Sequence, residues 1–418
     1  MPRLLAVQAL ERFRRAGSWS EETLNALLRQ RPLAERDAAL GSRIFYGVLQ
    51  QLYRLDFWLD EFAAGRLEPK VRDILRVGLY QIVFLDRVPD RAAVSESVAL
   101  CRALGYERAC GLVNAVLRRC AREKSALPRP AYDEDSAEYL CIWYSHPLPL
   151  VQELIGTVGV PAARSILEAN NGPAPVYLQT NTLRISPAEL AARLGAREHP
   201  TLPGCLRADT LRVAQDEAFS EGLYFVQDPA ARLAVSLAEL RPGMKVLDAC
   251  AAPGGKSFAA ALEMQNRGEI LARDLHPRKL SLVDKGARRM GFDCIRCRAG
   301  DARETPAEGE LYDVVMADVP CSGLGVIRKK PDIRYRPWET LSALPALQLS
   351  IAGALSRCVR PGGVLLYSTC TWRESENRAV VDALLETDDT LCFEYERTFR
   401  TDWDDTDGFY VCRLRKKT

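Results

Sequence analysis

The stretch VLDACAAPGGKS, residues 246–257, decides how the second half of the chain folds. An apolar run leads into a short loop, two adjacent glycines follow, and a helical pattern starts behind them. This order predicts a strand, a loop and a helix whose first backbone N–H groups face a ligand. A phosphate-binding P-loop needs a glycine where Cys250 stands, and the three-glycine dinucleotide fingerprint is absent. The loop alone leaves the ligand open between a phosphate, a dinucleotide and a nucleoside.

Apolar runs continue beyond this stretch and alternate with helical patterns, which predicts a mostly parallel, doubly wound sheet. The next runs are EILARD, CIRCRAGD, YDVVMAD and GGVLLYST. An aspartate closes each of the first four strands, at Asp248, Asp274, Asp301 and Asp318. The carboxyl ends of such strands line the ligand crevice, and Asp274 is placed to accept hydrogen bonds from ribose hydroxyls. Acids at the other strand ends suit a cation better than a pyrophosphate, and S-adenosylmethionine carries a sulfonium and an ammonium.

Two cysteines follow strand ends of the same sheet, Cys321 in ADVPCSGLG and Cys370 in LYSTCTW. Both are therefore expected to face the crevice, whereas an ordinary buried thiol belongs inside a strand or on a helix face. A methyl donor beside a thiol suggests methylation of cytosine at C5. A thiolate that adds to C6 makes C5 nucleophilic, and Asp318 could hydrogen-bond the base edge. These residues alone do not decide which cysteine attacks.

The composition excludes several classes of protein. No apolar run approaches the length of about 18 residues that a membrane span needs. The first residues lack the apolar core of a signal peptide. Together, these two observations predict a cytoplasmic protein without a membrane partner. The 13 cysteines fall mostly in apolar segments, as reduced thiols do. Only three histidines are present, and the pair Cys294 and Cys297 has no second pair, so no metal site is predicted.

Three regions are predicted along the chain. Residues 1–130 show helical periodicity throughout and carry more basic than acidic residues, although the whole chain has a net charge of only +2. Such a basic region is typical of polyanion binding, and equally of solvated helix surfaces. Residues 131–235 mix helices and strands into a small α+β domain. Residues 236–418 form the α/β domain.

The motifs DACAAPGGK, ADVPCSG and YSTCT, in this order, resemble those of the RNA 5-methylcytosine methyltransferase family. YFVQDPAARLA and DGFYVCRLRK match its flanking motifs, and the resemblance covers about residues 131–418. It implies a Rossmann-like class I methyltransferase fold with S-adenosylmethionine as cofactor. It also implies that Cys370 is the nucleophile and that Cys321 assists release of the methylated RNA. Cofactor contacts are implied for Cys250, Ala251, Ala252, Pro253, Gly254, Gly255, Lys256, Asp274, Asp301 and Asp318, of which Asp318 also faces the target base.

The helical region resembles the NusB-like RNA-binding domain, in RIFYGVLQ, VGLYQIVFL, AVSESVAL and LVNAVLRR. Together with the catalytic motifs it implies a monomeric enzyme that acts on small-subunit (16S) ribosomal RNA. The basic stretch GVIRKKPDIRYR, residues 325–336, is expected to lie near that RNA.

Three other functions are weighed against this one. A transfer RNA or other ribosomal RNA methyltransferase would carry the same catalytic motifs. A non-catalytic RNA-binding ribosome or transcription factor would need neither cysteine. A small-molecule dehydrogenase would need the missing dinucleotide fingerprint.

Overall fold

A computed structural model describes residues 2–16, 20–63, 65–208, 211–305 and 309–418. The contacts divide the chain into two compact units. The first consists of Met1–Asn171 together with Lys329–Arg336, and the second of Gly172–Arg328 with Pro337–Thr418. Within the described residues, no helix is both long and apolar enough to cross a membrane.

The first unit is a bundle of α-helices around one apolar core that includes Phe45, Trp58 and Ile74. Gly47 permits the close packing of two of these helices, because a Cβ there would lie 1.9 Å from the ring of Tyr80. The helices are α1 (Pro2–Ala16), α2 (Ser20–Gln30), α3 (Glu35–Gln50), α4 (Leu52–Phe62), α5 (Pro69–Phe84), α6 (Asp90–Ala103), α7 (Cys110–Arg122), α8 (Ala137–Trp143), α9 (Leu148–Val158) and α10 (Val160–Ala169).

Residues 329–336, here called the inserted segment, complete the first unit although they come from the middle of the α/β sequence. Arg334 is 1% exposed, and its Nη1 donates hydrogen bonds to Gln50 O (3.0 Å), Ser145 O (2.7 Å) and Asn171 Oδ1 (3.1 Å). The prediction that the basic stretch 325–336 faces RNA is therefore wrong for Arg334. The Arg334 guanidinium donates hydrogen bonds to carbonyl and amide oxygens that would otherwise be buried without a hydrogen-bond donor.

The second unit begins with a four-stranded antiparallel sheet, in the order β2-β3-β1-β4. Helix α11 starts with the capping box that the sequence favours, in which Ser186 and Glu189 each accept a hydrogen bond from the other's backbone N–H. The elements are β1 (Val176–Thr180), α11 (Pro187–Leu194), β2 (Arg197–Glu198), β3 (Cys205–Ala208), α12 (Glu217–Ser220) and β4 (Tyr224–Val226).

The rest of the second unit is the predicted α/β layer structure around a seven-stranded sheet, in the order β10-β11-β9-β8-β5-β6-β7. Strands β5 to β9 pair in parallel, whereas β11 runs antiparallel to β9 and β10. The elements are α13 (Pro229–Ser236), β5 (Lys245–Asp248), α14 (Gly255–Glu263), β6 (Glu269–Asp274), α15 (Pro277–Met290), β7 (Ile295–Ala299), β8 (Tyr312–Asp318), α16 (Leu344–Ser356), β9 (Val359–Thr369), α17 (Arg378–Thr387), β10 (Leu391–Phe399) and β11 (Phe409–Lys416).

Alternate residues of the central strands fill two separate cores. Val246 and Val314 join the core under α13, α14 and α15, whereas Leu247 and Val315 join the core under α16 and α17. This alternation follows from the two-residue period of a strand. The strand order reverses at β5, whose neighbours are β6 and β8. The carboxyl ends of these strands therefore border a crevice where open α/β sheets bind ligands.

Candidate active site

The glycine loop lies between β5 and α14, where the sequence predicts it. Gly254 has φ 115° and caps α14, and a Cβ there would lie 2.5 Å from the ring of Phe258. Only glycine meets both conditions. The loop is held by its neighbours, since Ala251 N donates to Arg273 O (2.8 Å) and Ala252 N donates to Asp274 Oδ2 (3.3 Å). The first N–H groups of α14 therefore border the crevice.

Asp248, at the end of β5, is a fully buried carboxylate beneath this loop. Ser257 Oγ donates to its Oδ2 at 2.6 Å, and its Oδ1 has no hydrogen-bond partner among the residues that the structure describes. Burial raises the pKa of Asp248 to about 6, although Ser257 and Lys256 act against this change. A buried acceptor without a donor indicates a site that a ligand or solvent completes.

Asp274 is the last residue of β6, and Asp301 lies just after β7. The two carboxylates accept hydrogen bonds from different groups. Asp274 Oδ1 accepts a hydrogen bond from His276 N at 2.9 Å, which leaves a carboxylate anchored by backbone donors at the strand end. Asp301 pairs with Arg303 at 2.5 Å, and this hydrogen-bonded guanidinium lowers the pKa of Asp301. Both acids therefore favour a cationic or hydroxyl-bearing ligand at this edge.

Lys256 and Asp318 form an ion pair across the crevice, with 2.6 Å between Nζ and Oδ2. Ser368 Oγ donates to the other carboxylate oxygen, Oδ1, at 2.8 Å. Burial acts to lower the pKa of Lys256, but the attraction of Asp318 outweighs it and the pKa is raised. The pair joins the glycine loop to the end of β8.

The two sequence-predicted cysteines are brought together, with 3.2 Å between the Sγ atoms of Cys321 and Cys370. The hydrogen bond with Cys370, followed by burial, raises the pKa of Cys321 well above its ordinary value. Cys321 is therefore the protonated partner, and its S–H can donate to the sulfur of Cys370. The neighbouring loops are joined as well, since Gly325 N donates to Cys370 O at 2.9 Å.

A cavity of about 630 Å³ opens beside the ion pair. Neither cysteine lines it, and neither Asp274 nor Asp301 does. Its lining includes residues of the glycine loop and of two strand ends, namely Asp248, Cys250, Ala251, Ala252, Pro253, Gly255, Lys256 and Asp318. Residues that the sequence does not single out line it as well, among them Val226, Gln227, Leu282, Lys285 and Arg289.

Comparison with known proteins identifies the family to which a chain with these features belongs. Residues 235–415 match the family model for 16S rRNA methyltransferase RsmB/F. Residues 1–122 match the NusB family, and residues 146–219 match the ferredoxin-like domain of RsmF/B-like methyltransferases. The probable ribosomal RNA small subunit methyltransferase B of Bacillus subtilis is 33% identical over 99% of this chain and 98% of its own. The chain belongs to the ribosomal RNA small subunit methyltransferase B family.

One further relative is similar in sequence, and one solved structure is similar in fold. The ribosomal RNA small subunit methyltransferase B of Xanthomonas campestris is 36% identical, over 84% of this chain and 80% of its own. The crystal structure of NSun6 from Pyrococcus horikoshii with SFG superposes with a TM-score of 0.61 at 20% identity, over 65% of this chain and 98% of that one. The methyltransferase B family thus confirms the predicted fold class, with a NusB domain, a ferredoxin-like domain and a Rossmann-like methyltransferase domain.

Sequence reasoning missed the residue that holds the two cysteine loops in this methyltransferase B family member. Glu376 is fully buried. Its carboxylate accepts hydrogen bonds from Ser322 N (2.8 Å), Gln348 Nε2 (2.9 Å) and Arg373 Nη1 (3.2 Å). Ser322 follows Cys321, and Arg373 lies three residues after Cys370. The run RESEN offered a signal only in its density of charged and polar residues, which usually indicates solvent exposure.

Among the described residues, no group of three or more potential metal ligands comes together, and the absence of a metal stays a prediction. Cys294 is buried, and burial raises its pKa to about 11. Burial also raises the pKa of Cys297. Both pKa shifts are those of thiols packed among other side chains.

Proposed function

We propose that this protein transfers the methyl group of S-adenosylmethionine to C5 of one cytidine in 16S ribosomal RNA, through a covalent bond between Cys370 and C6. The observation that carries the proposal is the contact of 3.2 Å between the two thiols, in which Cys321 has the raised pKa. In this arrangement the Cys321 S–H can donate a hydrogen bond to the sulfur of Cys370. A thiolate is the form that attacks.

The residues fit the cofactor as well as the chemistry. Asp248 offers a buried oxygen that has no partner within the described part of the chain, and Asp274 offers a carboxylate at the strand end next to the glycine loop. A ligand with a sulfonium, an ammonium and a ribose matches these acceptors. When bound, S-adenosylmethionine supplies an electrophilic methyl group. SFG, present with NSun6 in the related structure, is an analogue of this cofactor, which supports the same assignment.

Four residues of the chain take part in the remaining steps of the reaction. Cys370 adds to C6 of the cytosine, which makes C5 the nucleophile that takes the methyl group. The Asp318 carboxylate can accept a hydrogen bond from the exocyclic amine of the base, and Lys256, which is 2.6 Å away, holds that carboxylate in place. Loss of the proton from C5 and departure of the Cys370 thiolate restore the aromatic ring. Cys321 lies beside the departing sulfur and assists this release.

The choice of ribosomal RNA rests on the relatives' names and on the NusB family match at residues 1–122. The target base must leave its stack, because C6 cannot be reached inside a helix. We further propose three domains, at residues 1–130, 131–235 and 236–418, and a monomeric cytoplasmic enzyme that uses no metal.

Three cysteine variants test the catalytic assignment. Cys370→Ala is expected to abolish methylation and to leave S-adenosylmethionine binding intact. Cys321→Ala is expected to accumulate a covalent protein–RNA complex on a denaturing gel. Cys392→Ala, a half-buried cysteine on strand β10, is the matched control and should behave as the wild type. Turnover by Cys370→Ala would overturn the assignment of the nucleophile.

The substrate is tested by mapping. Protein-free small-subunit ribosomal RNA and transfer RNA are incubated separately with labelled cofactor, and 5-methylcytosine is located at nucleotide resolution. A single methylated cytidine in the ribosomal RNA is the expected result. Methylation of transfer RNA alone would keep the chemistry and reject the proposed substrate.

A further inference from the structure

The thiols of Cys321 and Cys370 lie close enough to be joined. They follow the neighbouring strands β8 and β9, which pair in parallel with Asp318 opposite Ser368. Their Sγ atoms are 3.2 Å apart. The two sulfurs of a disulfide are about 2.05 Å apart, so an approach of about 1 Å would join them. A small movement of the two loops is enough for this, and the strands need not move.

Hydrogen bonds hold the two cysteine loops against each other. Gly325 N donates to Cys370 O at 2.9 Å, and Ser322 Oγ donates to Thr371 Oγ1 at 2.8 Å. Ser322 and Thr371 are both fully buried, and each directly follows one of the cysteines. Because the loops are held, each sulfur meets the other at a high effective concentration, which favours a bond between them.

Both thiols are also within reach of a small oxidant, since Cys321 and Cys370 are only half-buried. Oxidation of cysteine depends on such exposure. A second pair of thiols, Cys101 and Cys110, interacts in the helical unit. Cys101 is 0% exposed, however, which leaves one member of that pair out of reach. Peroxide therefore selects the pair at the strand ends.

We infer that a peroxide converts Cys321 and Cys370 into a reversible disulfide, which makes the pair an oxidative modification site. The bond takes the nucleophile away, so methylation stops until a thiol reductant restores it. Transient disulfides of this kind occur in reducing compartments. The loss of methylation rests on the proposed function, because it follows from the role of Cys370. The disulfide itself rests on the geometry alone.

The oxidation takes place in two balanced steps. In the first, the sulfur of Cys370 attacks hydrogen peroxide; an S–O bond forms, the O–O bond breaks, and the thiol proton leaves with the other oxygen as water. In the second, the sulfur of Cys321 attacks the sulfenic acid; the S–S bond forms, the S–O bond breaks, and the hydroxyl leaves with the Cys321 proton as water. Cys370 takes the first step, because the raised pKa of Cys321 keeps that thiol protonated.

Peptide mapping tests the bond without reference to activity. The reduced full-length protein is treated with increasing hydrogen peroxide, alkylated, digested with trypsin and analysed by tandem mass spectrometry. A linked peptide pair that joins Cys321 to Cys370 is the expected product. Fragmentation separates Cys370 from Cys358, which precedes it on the same tryptic peptide. Methylation is assayed in the same samples, and the remaining rate is expected to equal the fraction of the pair that is still reduced. A dithiol should restore that rate.

Two variants separate the pair from general thiol oxidation. Cys321→Ala removes the second thiol, so the sulfenic acid of Cys370 has no partner and proceeds to the sulfinic acid in excess peroxide. The Cys370 peptide of this variant should gain two oxygen atoms and keep them after dithiol treatment. Cys392→Ala, at a half-buried position on β10, is the matched control. It should keep the linked peptide and the reversible loss of methylation.

Three outcomes would overturn the inference. They are a catalytic pair that stays unlinked at every peroxide concentration, a link between Cys101 and Cys110 in its place, and a loss of methylation in the wild type that a dithiol does not reverse. A wild type that forms the linked peptide but methylates no RNA before oxidation would support the disulfide and reject the proposed function, because the mapping needs no turnover.

Discussion

Glu376→Gln should loosen the loop that carries Cys321. The substitution keeps the shape of the side chain and removes its charge. Glutamine can still accept from Ser322 N and Gln348 Nε2, which lie 2.8 and 2.9 Å from the native carboxylate. What it loses is the buried attraction to Arg373, whose Nη1 lies 3.2 Å from Oε1. The side chain of Glu376 is 0% exposed and that of Arg373 is 10% exposed, so solvent screens the pair weakly.

Breaking a buried ion pair by removing one charge costs about 3–5 kcal/mol. Because two of the three hydrogen bonds survive in glutamine, the lower end of about 3 kcal/mol applies to the local opening of this loop. That free energy corresponds to roughly a 100-fold larger opening constant. The Ser322 amide hydrogen should therefore exchange with solvent deuterium about 100-fold faster than in the wild type.

Hydrogen exchange followed by mass spectrometry, on the peptide that contains Ser322, measures this change directly. Glu374→Gln is the control, because Glu374 is exposed two residues away and its substitution should alter exchange by less than about two-fold. An acceleration below about five-fold in Glu376→Gln would refute the view that this carboxylate holds the cysteine loops together.

Two other substitutions have outcomes that follow from burial. Burial raises the pKa of Asp248 to about 6. Between about pH 4 and 6, the folded state therefore keeps a proton on this carboxyl, whereas the unfolded chain has released it. The free energy of unfolding consequently falls as the pH rises through this window. Asp248→Asn should remove this pH-dependent loss of stability. In urea unfolding, the free energy of unfolding of the variant minus that of the wild type should increase from pH 4 to pH 6, by up to about 3 kcal/mol. A difference that does not depend on pH would contradict this expectation. Arg334→Ala leaves three oxygens of the first unit without their donor and should destabilise the helices of that unit by about 3 kcal/mol in thermal unfolding. The control Lys330→Ala, at an exposed position, should unfold as the wild type does. Equal unfolding transitions for the two variants would contradict the anchoring role of Arg334.

Periodicity and strand ends predict the α/β sheet and the placement of its acids, because the alternation of strands and helices is visible in the local sequence and implies parallel pairing. The same reasoning predicts that Cys321 and Cys370 share one crevice, and the structure brings them to 3.2 Å. It does not reach Glu376 or Gln227, since a charged or amide side chain in a polar run gives no signal that it is buried. The burial of Arg334 is equally hidden, because it depends on oxygens of Gln50, Ser145 and Asn171, far away in the chain.

The inserted segment changes what a domain deletion means in this protein. A truncated chain that begins at residue 172 would keep residues 329–336 but remove every oxygen that Arg334 binds. An isolated fragment of residues 1–171 would keep those oxygens and lose the arginine. Neither truncation is therefore a clean separation of modules, and lost activity in such a fragment would not by itself assign RNA binding to the helical unit. The first unit thus includes eight residues that lie, in sequence, between the two cysteines of the catalytic domain.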